Sequence, residues 1–242
     1  MKKIFLLLIC LLMLLLVACN SDEVVYPDID APDDQIDDVD EDNLGSYDIE
    51  LKDDTSGEAF SQITVDVDDS VLDGFDSDEA RNEAGADLQS ILDTLTAQLQ
   101  DEQMAMHAAD SSSTFENEFD LQVVYADAEY ISITADLYSY AEGAAHPNMM
   151  RYAYVYDAVS GARVSLEQLF GSDYRDELAN KIYADVEKIG ELDGYYPDLT
   201  ALLAQYISDD QWYMDADNIY LIYQPYQIAP HARGIIEFAI ER

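Results

Sequence analysis

Residues 130–157 read YISITADLYSYAEGAAHPNMMRYAYVYD and contain the pattern from which we predict the fold. Its two ends, 130–140 and 149–157, alternate apolar and polar side chains, which is typical of β-strands that bury one face. A glycine and a proline interrupt this alternation at 141–148 and predict a hairpin loop. One face of the first strand suits a hydrophobic core, because it carries Ile131, Ile133, Ala135 and Leu137.

Tyrosines recur along both strands of this hairpin. If the hairpin is centred on Ala145, Tyr138 lies opposite Tyr152 and Asp136 lies opposite Tyr154, which aligns a band of tyrosines. Two interpretations are open. The band is a binding face, since exposed aromatic residues mark interfaces, or it packs across strands beneath a helix. We favour packing for most of these tyrosines, with those nearest the loop exposed.

On both sides of the hairpin, the same periodicities predict further strands and amphipathic helices. Ser165 and Gln168 form a capping box that starts a short helix. The predicted fold is α+β, with antiparallel sheet(s) and one long and several shorter helices packed on one face, after a disordered acidic tether. The other predicted strands are 47–52, 62–67, 118–125, 212–214, 218–224 and 234–240, and the helices are 78–106, 174–189 and 197–207.

The chain carries 52 acidic and 11 basic side chains, a formal net charge of −41. Because 49% of its residues are apolar, it can still bury a core. Direct binding of nucleic acid is excluded, since neutralising phosphates requires a surface of lysine and arginine. The segment 22–42 has 11 acids and no base, so we expect residues 19–46 to form an extended tether.

The N-terminus resembles a bacterial lipoprotein signal. Lys2 and Lys3 precede the uncharged apolar run 4–17, which is shorter than the roughly 20 residues of a transmembrane helix. The sequence Leu-Val-Ala-Cys that ends at Cys19 resembles a lipobox, although an ordinary signal peptide with a chance cysteine is the alternative. We expect a signal peptide at 1–18 and attachment of a lipid, including palmitate, at Cys19, which anchors the exported chain to a membrane.

Asn20 follows Cys19. In Gram-negative lipoproteins an aspartate at this place favours the inner membrane, so Asn20 predicts the outer membrane, facing the periplasm, if the host is Gram-negative. The remaining residues, 47–242, are expected to form the α+β domain. Two subdomains, about 47–125 and 126–242, are an alternative division.

Two motifs resemble the RsiV-like extracytoplasmic domain family, whose non-catalytic modules also precede PdaC-type peptidoglycan deacetylases. The first runs from GAAHPN at 143–148, through YVYD at 154–157, to LEQLF at 166–170. The second is IYLIYQPYQIAPHARG at 219–234. This chain has GAAH where the family has GGAH, and His231 where tyrosine is usual. The resemblance covers about 47–242 and implies an α+β binding domain with affinity for lysozyme.

The sequence does not favour an enzyme. The only cysteine besides Cys19 is Cys10, inside the predicted signal peptide, and no HExxH, GxSxG or Walker A motif is present. We therefore expect no cofactor and no metal. Glu142 and His146 would need two further ligands to hold a metal. An acid pair such as Glu116 and Glu118 suits a glycosidase, but 52 acids produce such pairs by chance.

Two functions remain. The first is a lipid-anchored envelope binding protein that binds or inhibits lysozyme or another basic protein; the alternative is an envelope-maintenance, peptidoglycan-associated lipoprotein without lysozyme affinity. We expect the loops 141–148 and 224–234 to lie close together and form the recognition surface, because rigid, proline-bearing loops lose little entropy on binding. Folding of the hairpin turns is the other role of these prolines. The predicted partner-binding residues are His146, Pro147, Tyr226, Pro230 and His231.

Overall fold

The computed structural model describes residues 44–242, which belong to one compact unit. The predicted signal peptide 1–18, Cys19 and the tether up to residue 43 lie outside the described residues. The described part contains two β-sheets and four α-helices, so the predicted α+β class is confirmed. The strands are β1 Tyr47–Lys52, β2 Ala59–Val67, β3 Phe115–Ala126, β4 Tyr130–Ala141, β5 Asn148–Asp157, β6 Trp212–Met214, β7 Asn218–Tyr223 and β8 Ile236–Glu241.

The helices are α1 Asp78–Ala109, α2 Leu166–Phe170, α3 Tyr174–Ile189 and α4 Leu199–Tyr206. The Ser77 side chain caps α1 by accepting from the Ala80 amide, and the predicted capping box of Ser165 and Gln168 starts α2. Among residues 44–242 no helix is both long and apolar enough to cross a membrane.

The first sheet has five strands in the order β1-β2-β3-β4-β5. All neighbours are antiparallel except β2 and β3, which run parallel because the long helix α1 connects them as a crossover. The second sheet is antiparallel, in the order β6-β7-β8. The sequence predicted these strands but not the parallel pair, since the alternation within a strand does not reveal its neighbours.

The helix α1 covers one face of the five-stranded sheet. Its buried residues Leu88 and Leu92 belong to the same hydrophobic cluster as Phe119 and the predicted core face of β4. Ile131, Ile133, Ala135 and Leu137 are all buried, so that prediction is confirmed. We call this the helix-covered face of the sheet, and the opposite side the outer face.

A second hydrophobic cluster unites the three-stranded sheet with α2, α3 and α4. Trp212 and Tyr223 are its largest fully buried side chains. This sheet also covers the outer face near the start of β4, where the Ser132 hydroxyl donates to the Met214 carbonyl and accepts from the Met214 amide. The Ser132–Met214 contact therefore does not cover the part of the outer face that lies toward the 141–148 loop.

A buried polar network fastens α1 to three strands. The Gln103 side-chain amide of α1 donates to Asn117 Oδ1 of β3 at 2.8 Å, and the Ser139 hydroxyl of β4 donates to the same oxygen at 2.8 Å. Asn117 Nδ2 donates to the Gln62 carbonyl of β2 at 2.9 Å, and the Ser61 hydroxyl donates to Gln103 Oε1. Each of these buried polar groups has a partner, so the network specifies one position of the helix on the sheet.

The predicted register of the β4–β5 hairpin is wrong. Tyr138 pairs with Met149, and Tyr152 pairs with Ala135, so the hairpin centres between Gly143 and Ala144 instead of on Ala145. A shift by an odd number of residues moves every side chain to the other face. Tyr152, Tyr154 and Tyr156 therefore lie on the helix-covered face, and they do not form a band with Tyr138.

The tyrosines of β5 pack beneath α1, as the second interpretation held. Tyr154 and Tyr156 are buried, and the Tyr156 hydroxyl donates to Asp87 of α1 at 2.8 Å. Burial raises the pKa of Tyr152 to about 12 and also raises the pKa values of Tyr154 and Tyr156. These hydroxyls stay neutral at ordinary pH.

Replacing Asn117 by alanine is expected to destabilise the protein by about 2 kcal/mol, because Gln103 and Ser139 then lose buried hydrogen-bond partners. Urea unfolding followed by far-UV circular dichroism measures the change. Asn82→Ala, at an exposed position of α1, is the matched control and should change stability by less than about 0.5 kcal/mol. Equal losses in the two variants would contradict the role of the network.

Candidate interaction site

The loop 141–148 begins with a tight turn. The Ala144 amide donates to the Ala141 carbonyl at 3.0 Å, and Gly143 has φ of 83°, a backbone conformation that glycine adopts without a steric cost. The Glu142 amide and carboxylate both bind Thr114, which precedes β3, so this turn is held against the neighbouring strand. His146 follows and is exposed.

The loop 224–234 begins with a second tight turn, from Gln224 to Gln227. The Gln227 amide donates to the Gln224 carbonyl at 3.1 Å, and Pro225 and Tyr226 are the two central residues. Tyr226 has φ of 71°, which makes this a type II turn with a tyrosine at the position that normally requires glycine. Among residues 44–242, Tyr226 is the one non-glycine residue with a positive φ.

The backbone of Tyr226 is strained. A left-handed conformation costs a residue with a Cβ atom about 1–2 kcal/mol, and such strain persists where the surroundings impose it, often at functional sites. The side chain does not offset this cost by burial, because 58% of its surface is exposed. The turn thus presents a large aromatic side chain to solvent at a cost in stability.

The structure brings the two loops together. The imidazole rings of His146 and His231 stack with their centroids 4.0 Å apart, and the Tyr226 ring lies 5.1 Å from the His231 ring. Exposure decreases from Tyr226 to His231, which is half-buried between the other two side chains. Three of the five predicted residues therefore form one aromatic cluster, although they come from loops more than 70 residues apart in sequence.

The two prolines lie beside this cluster in different environments. Pro147 is half-buried, and its carbonyl contacts His146 Nδ1 at 3.0 Å. Pro230 is exposed and starts the short 3-10 helix His231–Arg233. The fully buried Ile228 and the buried Ala229 precede it and anchor the loop in the second hydrophobic cluster. The loop 224–234 is consequently held at its base while its tip stays accessible.

Gln224 fixes the position of the tyrosine turn. It is 5% exposed, and its side-chain amide pairs with the backbone of Arg151 as a neighbouring strand would: Arg151 N donates to Gln224 Oε1 at 3.0 Å, and Gln224 Nε2 donates to the Arg151 carbonyl. This contact closes the edge of β5 at the start of the turn. The loop 224–234 is thereby fastened to the strand that follows the loop 141–148.

An ion-paired arginine reinforces the same junction. The Arg151 guanidinium binds Asp136 of β4 through two nitrogens, at 2.7 and 2.6 Å, and Glu237 of β8 at 2.9 Å. The hydrogen bond to Asp136 raises the pKa of Arg151 further, so the side chain remains charged. The two sheets are therefore joined beside the site through one cation that is already neutralised by two carboxylates.

His107, the third histidine, belongs elsewhere. Its ring stacks on Phe60 with centroids 4.0 Å apart, and its nitrogens lie 3.0 Å from the Ser113 carbonyl and 3.3 Å from the Asp53 carboxylate. Backbone amides of Ser56 and Thr55 lower the pKa of Asp53 to about 2. Within residues 44–242, no group of three or more His, Cys, Asp or Glu side chains is placed to hold a metal ion.

Comparison with known families matches residues 167–242 to DUF3298, which is described as a protein of unknown function. A crystal structure of a DUF3298 member from Bacteroides fragilis is similar, with 19% identity, a TM-score of 0.50 and coverage of 81% of this chain and 88% of that one. A DUF3298 protein from Pseudomonas aeruginosa has 15% identity, a TM-score of 0.46 and the same coverages. No curated protein sequence matches significantly. The first likeness supports the fold.

Sequence reasoning predicted that the loops 141–148 and 224–234 lie close together, but it missed the residues that hold them in place. Local signals predicted the loops, namely Gly143 and Pro147 in the first loop and Pro230 in the second. Gln224 gave no signal, because its partner Arg151 lies far away in sequence and is contacted through backbone atoms. The strain at Tyr226 also went undetected, because proline followed by a non-glycine residue is equally compatible with an unstrained type I turn.

The strain at Tyr226 can be measured by comparing two substitutions that both remove the ring. Tyr226→Gly is expected to be about 1 kcal/mol more stable than Tyr226→Ala, because only glycine adopts a positive φ without a clash of its Cβ atom. Thermal and urea unfolding measure the difference. An alanine variant as stable as the glycine variant would mean that the left-handed turn is not strained.

Proposed function

We propose that this chain is a non-catalytic, lipid-anchored binding protein of the cell envelope, which captures lysozyme or another cationic protein through the loops 141–148 and 224–234. The observation that carries the proposal is Tyr226, an exposed tyrosine held in a strained turn, whose ring lies against His231, which in turn stacks on His146. Tyrosines of this kind, large and polar at the tip, are enriched at the energetic centres of interfaces.

The resemblance to RsiV-like domains supports lysozyme as the partner. The two sequence motifs that carry this resemblance contribute His146 and Tyr226, and these side chains meet at the aromatic cluster. The net charge of −41 also suits a cationic partner, because the field of an acidic protein accelerates its encounter with a basic one. The negative charge speeds the encounter with the partner, whereas the aromatic cluster makes the close contact in the complex.

The geometry favours rigid recognition. Gln224, Ile228 and Arg151 hold the base of the loop 224–234, and the turn at Gly143 holds the other loop. A surface that is ordered before binding loses less conformational entropy on association than a flexible one. The strain at Tyr226 is compatible with this role, since the turn exposes the ring at a cost in stability that its surroundings impose.

Tyr226→Gly is expected to weaken the binding of hen egg-white lysozyme by about 2 kcal/mol, roughly thirtyfold in Kd, because the contacting ring is lost. Calorimetric titration of the full chain, purified in non-ionic detergent, measures the affinity. Glycine adopts the positive φ of this turn without a clash, so the variant is expected to stay folded, and thermal unfolding checks this.

Ile189→Ala is the matched control for this titration. Ile189 is 66% exposed at the end of α3 and presents a comparably accessible large side chain away from the loops. Its removal should leave Kd unchanged within about twofold. Absence of lysozyme binding by the wild-type chain at low salt would refute lysozyme as the partner, and equal losses in the two variants would refute the site.

The membrane anchor is a separate part of the proposal. Cys19→Ser removes the thiol that the lipobox offers for lipidation, and the other cysteine, Cys10, lies inside the predicted signal peptide. The wild-type chain is expected in the outer-membrane fraction of a Gram-negative host, and the variant in the inner membrane with its signal peptide uncleaved. Identical fractionation of both chains would exclude lipidation at Cys19.

A further inference from the structure

The outer face of the five-stranded sheet is open toward the 141–148 loop in the part of the chain that the structure describes. The three-stranded sheet covers the region around Ser132 and Thr134, which are buried, and it contacts Arg151 through Glu237 of β8. Farther along the strands, Asp66, Glu116 and Glu118 are exposed. A largely antiparallel sheet commonly exposes one face, but its solvent face normally mixes charges of both signs.

Three aspartates stand side by side across this face. Asp120 of β3 is directly opposite Asp66 of β2 and directly opposite Asp136 of β4. Like charges in directly opposite positions destabilise a sheet. Arg151 neutralises Asp136 at one end of the row, whereas Asp66 and Asp120 accept hydrogen bonds from the neutral side chains of Ser46 and Gln122. The row therefore retains negative charge at a cost to the fold.

Aromatic and apolar side chains adjoin the row of aspartates. Glu118, Tyr138 and Met149 lie in line across β3, β4 and β5, and 52% of the Met149 surface is exposed. In the next line Tyr140 lies opposite Glu116, and the Tyr140 hydroxyl donates to the Ala144 carbonyl in the loop 141–148 at 3.5 Å. The outer face thus reaches the loop 141–148, which also carries His146 of the aromatic cluster.

The charge of this face decides what can occupy it. A second copy of the chain would bring the same carboxylates into contact and would be repelled. The segment 22–42, with 11 acids and no base, is also repelled by the face. A basic protein is attracted, and the tyrosines and Met149 offer it apolar contact beside the carboxylates.

We infer that the outer face of the five-stranded sheet is the docking surface for the basic side of a cationic protein, continuous with the loop site. This inference rests on the proposed function, since it assigns a second contact region to the same partner. The aspartate row pairs with lysines and arginines of the partner, while the loops supply the aromatic contact. The like-charge repulsion within the sheet is relieved when the partner binds.

Neutralising three carboxylates of the face tests the inference. The full chain is titrated at low salt with two probes, hen egg-white lysozyme and poly-L-lysine. Loss of three attractive charge pairs is expected to weaken lysozyme binding roughly tenfold. The variant should be at least as stable as the wild type, because substitution removes like-charge repulsion. The face variant combines Asp66→Asn, Glu118→Gln and Asp120→Asn.

The control variant changes net charge by the same amount at exposed positions of α1 and α3, namely Glu83→Gln, Asp101→Asn and Asp185→Asn. Its affinity should fall by less than about twofold, because it only weakens the general field of the protein. A larger loss in the face variant than in the control supports the inference. Equal losses, or no loss in either variant, overturn it.

The outcomes separate this inference from the proposed function. If Tyr226→Gly weakens lysozyme binding and the face variant does not, the loop site stands and the docking face is overturned. If lysozyme does not bind the wild-type chain, lysozyme is refuted as the partner. The titration with poly-L-lysine then tests whether the outer face binds a cationic chain. A selective loss of poly-L-lysine binding in the face variant then supports the face, and an equal response of both variants overturns it.

Discussion

Asn117 lies where α1 meets β2, β3 and β4, and its hydrogen bonds to Gln103, Ser139 and the Gln62 carbonyl fix the register of that meeting. The rest of the sheet depends on this register because strand side chains alternate between two faces. With Asn117 under the helix, Phe119 and Leu121 enter the core and the even-numbered acids point outward. A slip by one residue would bury carboxylates beneath α1.

The same constraint joins the fold to the proposed binding surfaces. The register sets the line of Asp66, Asp120 and Asp136, and it also places the end of β4 beside the Thr114 segment, which holds the 141–148 turn. The edge of β5 then receives Gln224, whose side chain positions the tyrosine turn. Core packing, the outer face and the aromatic cluster are thus consequences of one arrangement of strands.

Periodicity in the sequence predicted the helices and strands well, since burial of one face leaves a local trace in each element. The predicted bounds of β1 and α3 agree with the structure. The hairpin register was not determined in this way, because its loop contains two candidate turn centres, and the position of Gly143 decides between them. The parallel pairing of β2 with β3 likewise depends on how α1 packs, which no local pattern records.

In the candidate site, too, local features could be predicted from the sequence and long-range contacts could not. Tyr226, His146 and His231 were predictable from loop chemistry, whereas the contacts that hold them involve Gln224 and Arg151, which are distant in sequence. The outer face was hidden for a related reason: in a chain with 52 acids, no single carboxylate stands out until the register shows which of them are neighbours. The contacts that hold the loops and the acidic outer face therefore became visible only from the pairing of residues distant in sequence.

Hydrogen–deuterium exchange of the full chain, with and without lysozyme, tests the central claim most directly, because it reports where a partner covers the protein. We expect slower exchange in the loops 141–148 and 224–234 and along the edge of β5 at Met149. The exposed side of α1 should exchange at an unchanged rate. Protection confined to α1 or α3, with both loops exchanging as in the free protein, would contradict the account.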